Sequence, residues 1–403
     1  MSEVKRVLVA MSGGVDSSVA AALLHEAGHD LIGVTLHLWD ADGEQQVGRC
    51  CAPEDRDDAR RTCEHLGIPH YVLDEREAFR QHVVDPFIAE YQAGRTPIPC
   101  VSCNRTVKLT YLAEVARRFD ATHIATGHYA RLERAANGHL RLLRGRDDDK
   151  DQSYFLFGLP QSTLHTLLFP LGDLVKSEVR EAGRRLGVPN ADKPESQELC
   201  FVPDGRIGDF INRQGSPTAS GAIVDRDGTV LGRHQGVTNF TRGQRRGLGL
   251  GGGATRYVLR IVPDTADVIV GEESQLYGQR LFATDAHWVA GRPADAFHGE
   301  VRIRYRHRGA LGNVTPKGDG FEVRFDEPQR AMGATRAVAK AARSARFGRP
   351  TAASTESLSP WTRTSSQCSP APRSRSSTLS CSMAATCRVS PTASRSSFAT
   401  RAW

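Results

Sequence analysis

The sequence predicts an α/β domain built on a parallel sheet, then a small mixed domain and a β-barrel-like C-terminal module. Three observations predict it. Short apolar runs alternate with amphipathic helical patterns over residues 5–130, which is the rhythm of a parallel sheet covered on both faces. A turn of small residues, Ser12-Gly-Gly14, separates the first apolar run from the first helical pattern. From about Gly205 the helices thin out, glycines crowd 228–253 and short alternating segments take over, as in small barrels.

Taken in order, Val7-Leu-Val-Ala-Met11 reads as a buried strand, and Ser17 to Ala27 as a helix closed by Gly28. Leu31 to Leu38 is a second strand, Glu54 to Leu66 a helix stopped at Gly67, and His70 to Leu73 a third strand. Thr106 to Phe119 is helical, and His123-Ile-Ala-Thr126 is a strand. Right-handed crossovers then place the loops after the strands at one edge of the sheet, where such folds bind ligands. Later strands are expected at Arg256 to Val262, Asp267 to Val270, Glu300 to Tyr305 and Gly320 to Phe325. The expected units are 1–204, 205–280, an incomplete barrel at 281–330, and a tail over 331–403.

Composition narrows the classes. The 403 residues are 39% hydrophobic and 25% charged, ordinary for a globular protein. No apolar run nears the roughly 18 residues of a membrane span. Val7 to Met11 is too short for a signal-peptide core, so a cytoplasmic protein is expected. The net charge of +7 is uneven. After Arg330 there are 11 basic residues and one acid, Glu356; residues 1–330 hold 42 basic and 45 acidic residues. Global basicity is therefore weak evidence for a nucleic-acid partner. The tail holds 16 Ser and shows no helical or alternating period in stretches such as Ser365 to Ser382. It reads either as a disordered basic arm for RNA phosphates or as out-of-frame sequence.

The sharpest motif is Ala10-Met-Ser-Gly-Gly-Val-Asp-Ser-Ser18, between strand and helix. Ser12, Gly13 and Gly14 allow backbone amides to turn toward an anion, and the helix that begins near Ser17 adds its positive end. Asp16 would hold a Mg²⁺ bridging the phosphates. No Gly-Lys-Ser/Thr follows, so this is not a Walker loop. A plain strand–turn–helix connection is the alternative.

Nine cysteines lie at 50, 51, 63, 100, 103, 200, 368, 381 and 387. Thr96-Pro-Ile-Pro-Cys-Val-Ser-Cys-Asn104 puts Cys100 and Cys103 in a proline-stiffened loop ahead of a helix. The helix N-terminus, Arg105 and Lys108 would favour a thiolate at Cys103. Cys200 follows in Ser196-Gln-Glu-Leu-Cys-Phe-Val202. Three readings stay open: zinc, which lacks a second Cys-x-x-Cys; an iron–sulfur cluster on Cys100, Cys103 and Cys200; or a sulfur relay through a persulfide. Cys50, Cys51 and Cys63 read as bystanders.

The loop resembles the pyrophosphate loop of ATP pyrophosphatases. Together with Cys103 and Cys200, the chain resembles the bacterial tRNA-specific 2-thiouridylase family from about Lys5 to about Gln329. Further matching segments are Ala125-Thr-Gly-His-Tyr-Ala130, Asp149-Lys-Asp-Gln-Ser-Tyr-Phe-Leu156, Gly236 through Thr241-Arg-Gly-Gln-Arg-Arg-Gly-Leu-Gly249, and Ile303-Arg-Tyr-Arg306. The resemblance implies ATP-dependent 2-thiolation of the wobble uridine of tRNA, with sulfur from a donor such as a cysteine desulfurase or a relay protein. It implies Cys103 as the nucleophile and Cys200 as the persulfide carrier. It places ATP on Ala10, Met11, Ser12, Gly13, Gly14, Val15, Asp16 and Ser17, with Leu36 and Gly127 on the adenine side. It places tRNA on Ile98, Pro99, Cys100, His128, Lys150, Asp151, Gln152, Arg304 and Tyr305. Ile98 stands where the family usually has Asn. A glycine-rich strand pair that closes the family's barrel is also missing after Gln329. Two other functions compete: a small-molecule amidating ligase, which does not explain two separated cysteines, and an RNA-binding protein with weak or lost catalysis.

Overall fold

A computed structural model describes residues 3–40, 53–195, 199–202, 205–215, 219–251 and 253–330, and the backbone strands 336–341 and 385–390. Cys50, Cys51 and most of the tail lie outside the described residues.

The chain opens with β1 (Arg6–Ala10), whose Val7, Leu8 and Val9 are fully buried. Burying each such side chain contributes about 1.5–3 kcal/mol. Helix α1 (Val15–Glu26) follows, then β2 (Asp30–His37), α2 (Pro53–Leu66) and β3 (His70–Asp74). A helical stretch not anticipated from the sequence comes next: α3 (Arg76–Phe79), a π turn over Arg80–Val84, and α4 (Asp85–Gln92). Short helix α5 (Pro99–Ser102) leads through a second π turn (Cys103–Lys108) into α6 (Leu109–Arg118). After β4 (His123–Ala125) come the hairpin β5 (Ala130–Arg134) and β6 (Leu140–Arg144), α7 (Gln161–Leu164), β7 (Leu167–Leu168) and α8 (Lys176–Arg185).

Five of these strands form one sheet in the order β3-β2-β1-β4-β7, parallel at every pairing. Its core clusters include Leu8, Ile32 and Ile124 in one, and Val7, Val9 and Leu31 in another. Adjacent residues of each strand thus feed different clusters, as alternation across a covered sheet requires.

Helix α9 (Ile207–Arg213) leads to a mixed four-stranded sheet of β8 (Gly221–Val224), β9 (Val230–His234), β10 (Tyr257–Val262) and β11 (Asp267–Gly271). The C-terminal module is a closed barrel. It contains β12 (Tyr277–Trp288), β13 (Phe297–Arg302), β14 (Ala310–Lys317), β15 (Gly320–Arg330), β16 (Arg336–Ala341) and β17 (Ala385–Ser390), in the order β12-β15-β14-β13-β16-β17.

Closure corrects the expectation of an incomplete barrel. Strand β16 pairs with β13, β17 pairs with β12, and the two pair with each other. Ladder pairing uses backbone groups that almost any sequence carries, Arg-Ala-Val-Ala-Lys-Ala at 336–341 included. The expectation of disorder or frame-shifted sequence for the rest of the tail falls outside the described residues.

The barrel sits against the first domain. The Gln161 Nε2 amide donates to the Val289 carbonyl at 2.6 Å, and His287 Nε2 to the Leu159 carbonyl at 3.0 Å. The Tyr305 ring lies 4.4 Å from that of Phe155.

Candidate active site

The phosphate loop occupies the turn between β1 and α1. The Ser17 hydroxyl accepts from the Ser12 amide at 3.1 Å and donates to the Gly14 carbonyl at 3.0 Å, which folds the loop on itself. The first helical bond of α1 runs from the Ser18 amide to Gly14 at 3.2 Å, and no side chain caps the helix. Its first amides therefore face outward, as an anion site needs. Gly13 has φ +74°, and a Cβ there would fall 1.9 Å from the Asp55 carbonyl oxygen at the start of α2. Gly127, in the loop after β4, presses on α1: a Cβ there would lie 2.6 Å from the Asp16 carbonyl carbon. These contacts place the β4 loop and the start of α2 against the phosphate loop.

Other loop residues have structural roles. The Met11 amide donates to Val34 at 2.8 Å and its carbonyl accepts from Thr35 Oγ1 at 2.8 Å, with the side chain in the core. Val15 and Leu36 are buried as well, and Ala10 is half-buried.

Asp16 is the hub of the site. Its Oδ1 accepts from Tyr129 Oη and Lys176 Nζ, both at 2.8 Å. Lys176 also pairs with Glu195 at 2.7 Å, and Lys150 pairs with Glu195 at 2.5 Å. Burial alone would raise the Glu195 carboxyl, but its bonds to Lys150 and Lys176 prevail and hold it at about 2. On the other side of the loop, the Gly13 carbonyl accepts from Asn190 Nδ2 at 2.9 Å and from Lys193 Nζ at 3.4 Å. Lys193 is neutralised by Asp55 and Asp58, each at 2.5 Å. Sequence reasoning missed Tyr129, Lys176, Glu195, Asn190 and Lys193. One signal was readable: Lys176 opens α8, where a helix disfavours a cation unless an anion answers it.

The cysteine region differs from expectation in one respect. Cys103 does not precede its helix. Pro99 starts a helical run four residues earlier, because proline suits a first helical position. Cys103 therefore opens a π turn inside that run and is 5% exposed. The helix-terminus part of the thiolate argument falls away, and Arg105 and Lys108 remain as basic residues of the same turn. Such π turns recur at functional sites.

Cys200 is half-buried and packs on the apolar cluster that contains Cys103. Next to it, the Phe201 ring sits 5.1 Å from that of Phe87 and 5.6 Å from that of Phe79, which anchors this segment on the first domain. Cys100 is half-buried and Cys63 is buried. Burial pushes the Cys63 thiol up to about 12, in keeping with a structural role.

Among the described residues, no group of three His, Cys, Asp or Glu side chains gathers closely enough to hold a metal ion. Cys100, Cys103 and Cys200 therefore do not fit as ligands of an iron–sulfur cluster. A Mg²⁺ that arrives with phosphates needs only one or two protein carboxylates, and Asp16, a third exposed beside the loop, fits that need.

The residues expected on the RNA side are scattered. Ile98 caps α5 and packs on the core cluster, with Pro99 buried. Burial, with Lys108 nearby, pushes His128 down to about 3; its Nδ1 meets Thr126 Oγ1 at 2.9 Å. Asp151 is 2% exposed and accepts from the Gly145 and Ser153 amides and from Arg144 Nε. Gln152 Oε1 accepts from the Tyr129 amide at 3.1 Å. Arg304 is exposed and Tyr305 half-buried on the turn after β13, which ends at Arg302 rather than running on to Tyr305.

Sheet order, loop and barrel define a phosphate-loop α/β protein with a mixed four-stranded sheet in the middle and a β-barrel end. Three family profiles match in succession: tRNA methyl transferase HUP domain over 5–204, tRNA methyl transferase PRC-barrel domain over 208–272, and Aminomethyltransferase beta-barrel domain over 278–338. The tRNA-specific 2-thiouridylase MnmA of Sorangium cellulosum is 50% identical over 337 residues, 81% of this chain and 86% of the relative. Its namesake in Geobacter metallireducens is 46% identical over 341 residues, 83% and 93% of the two chains. That of Chloroflexus aggregans is 47% identical over 331 residues, 81% and 92%. The chain belongs to the tRNA-specific 2-thiouridylase family.

Proposed function

We propose that the chain is a tRNA-uridine 2-sulfurtransferase of the cytoplasm, which replaces the C2 oxygen of the wobble uridine (position 34) with sulfur at the expense of ATP. The observation that carries this reading is the phosphate loop in the same domain as Cys103 and Cys200, two thiols on one apolar cluster.

The loop amides and the start of α1 hold the polyphosphate of ATP, and Lys176 adds positive charge beside it. Mg²⁺ on Asp16 would neutralise the phosphates and orient them for in-line displacement. Leu36 and Gly127 line the side where adenine would lie. The flipped uridine presents its C2 oxygen to the α-phosphorus. A P–O bond forms and pyrophosphate leaves, which converts a poor leaving group into AMP.

Cys200 takes a sulfane sulfur from a persulfide donor, a cysteine desulfurase or a relay protein. The terminal sulfur of its persulfide attacks C2, and AMP leaves. Cys103 thiolate then attacks the Cys200 sulfur, which releases 2-thiouridine and forms a Cys103–Cys200 disulfide. An external thiol reductant restores both thiols. Ile98, Pro99 and Cys100, with His128, would line the base side, and Arg304 and Tyr305 would meet the RNA backbone.

The test is tRNA-dependent release of AMP and pyrophosphate by the parent and by Asp16→Ala. Loss of one such electrostatic group is expected to slow release about 10²–10³-fold. Undiminished release from the variant would refute the assignment of Asp16 and its metal.

A further inference from the structure

Two glycines in a row let the peptide between Gly13 and Gly14 flip at little steric cost, because neither residue has a Cβ to resist. A trans peptide points its C=O and its N–H in opposite directions, so whatever fixes one fixes the other. The Gly13 carbonyl accepts from Asn190 Nδ2 at 2.9 Å, with Lys193 Nζ farther off at 3.4 Å. The Gly14 amide accordingly faces the other way, toward the Ser12 hydroxyl at 3.4 Å, which lies 3.1 Å from the Ser17 hydroxyl. The following peptide is held independently, since the Gly14 carbonyl accepts from the Ser17 hydroxyl and the Ser18 amide. Asn190 is itself firmly placed. It is 6% exposed, and its Nδ2 also donates to Ser18 Oγ at 3.1 Å. Val188 and Ala191 beside it pack with Val15 and Val19 of α1. Arg180 of α8 donates to the Ala191 and Lys193 carbonyls at 2.9 and 3.1 Å.

We propose that Asn190 is a positioning residue of the phosphate loop: by holding the Gly13 carbonyl it keeps the Gly14 amide turned toward the polyphosphate of ATP. The inference rests on the reading of this loop as an ATP site. A carbonyl oxygen can only accept, so the side-chain nitrogen of Asn190, not its oxygen, must face Gly13. Without that donor the peptide turns over in part of the population, and an oxygen then stands where an anion needs an N–H. ATP binding must first reverse the flip. Affinity falls by the fraction of loops turned the wrong way, while the bound state, and with it turnover, stays the same.

The test uses the full chain and two variants: Asn190→Leu, close in size but without a donor, and Asn190→Ala. Each is checked for folding by circular dichroism. ATP with Mg²⁺ is titrated by calorimetry, unmodified tRNA by filter binding, and tRNA-dependent pyrophosphate release is followed as ATP is varied. Loss of the donor predicts ATP binding weakened about tenfold in both variants. The KM for ATP should rise to match, with kcat and tRNA affinity unchanged within about twofold. A general lesion of the domain would instead lower kcat or weaken both ligands together, and either result overturns the proposal. So does unchanged ATP binding, and so does failure of both variants to fold, which would make Asn190 a residue of the core alone. Failure of the parent to bind ATP would sink the functional reading itself, a distinct outcome.

Discussion

Gly13 shows how narrowly single residues constrain this site. Its left-handed backbone and the Asp55 carbonyl oxygen, which would lie 1.9 Å from an added Cβ, exclude any side chain. Gly13→Ala is expected to cost at least about 2 kcal/mol in chemical denaturation and to abolish measurable ATP binding. Retention of both would mean that the loop does not have this shape. The cysteines offer a second check at the same scale. Cys63 is 1% exposed with its thiol raised to about 12, whereas Cys100 and Cys200 are half-buried. Native protein treated with iodoacetamide at neutral pH should label Cys100 and Cys200 and leave Cys63 untouched; labelling of Cys63 at the same rate would contradict the burial.

At the scale of elements, the loop after β4 carries a pH dependence. Burial holds His128 at about 3 against its ordinary 6.5. Between those values the unfolded chain binds a proton that the folded chain refuses, so stability falls as pH drops below 6.5. Thermal melts from pH 7 to pH 4 should show a decline that His128→Gln reduces; an identical slope in the variant would remove His128 as its source. The elements also show what the sequence could reveal. Strands β1, β2 and β4 were legible because each is a short buried apolar run, and the phosphate loop because its residues sit at fixed spacing. Strand β7 has only two residues, too few to show a period. The start of α5 was misplaced because Pro99 reads equally as loop or as first helical residue. The links from Asp16 to Tyr129 and Lys176 span 113 residues or more, a pairing no local pattern encodes.

Across the whole molecule, the first domain and the barrel meet around the turn at 150–161. Val289 and His287 of the barrel region bond to Gln161 and Leu159, and Arg302 reaches Asp151. A barrel closed by β16 and β17 leaves no open edge on β12 or β13, and edges of that kind recruit other chains. Ending the chain after Arg330 is therefore expected to produce aggregates in size-exclusion chromatography that the full chain does not form. A monodisperse truncated chain with an unchanged melting temperature would show that closure does not matter. Closure also removes the structural ground for supposing that catalysis was lost with an open barrel.

The central claim is sulfur transfer, and it is tested most directly by in vitro thiolation of unmodified tRNA. The chain is incubated with ATP, Mg²⁺, a persulfide donor and a thiol reductant, and 2-thiouridine is measured in the nucleoside digest. The account predicts ATP-dependent product from the parent and none from Cys103→Ala or Cys200→Ala. An absence of product from a parent that binds both ATP and tRNA would contradict it, as would full activity in either cysteine variant.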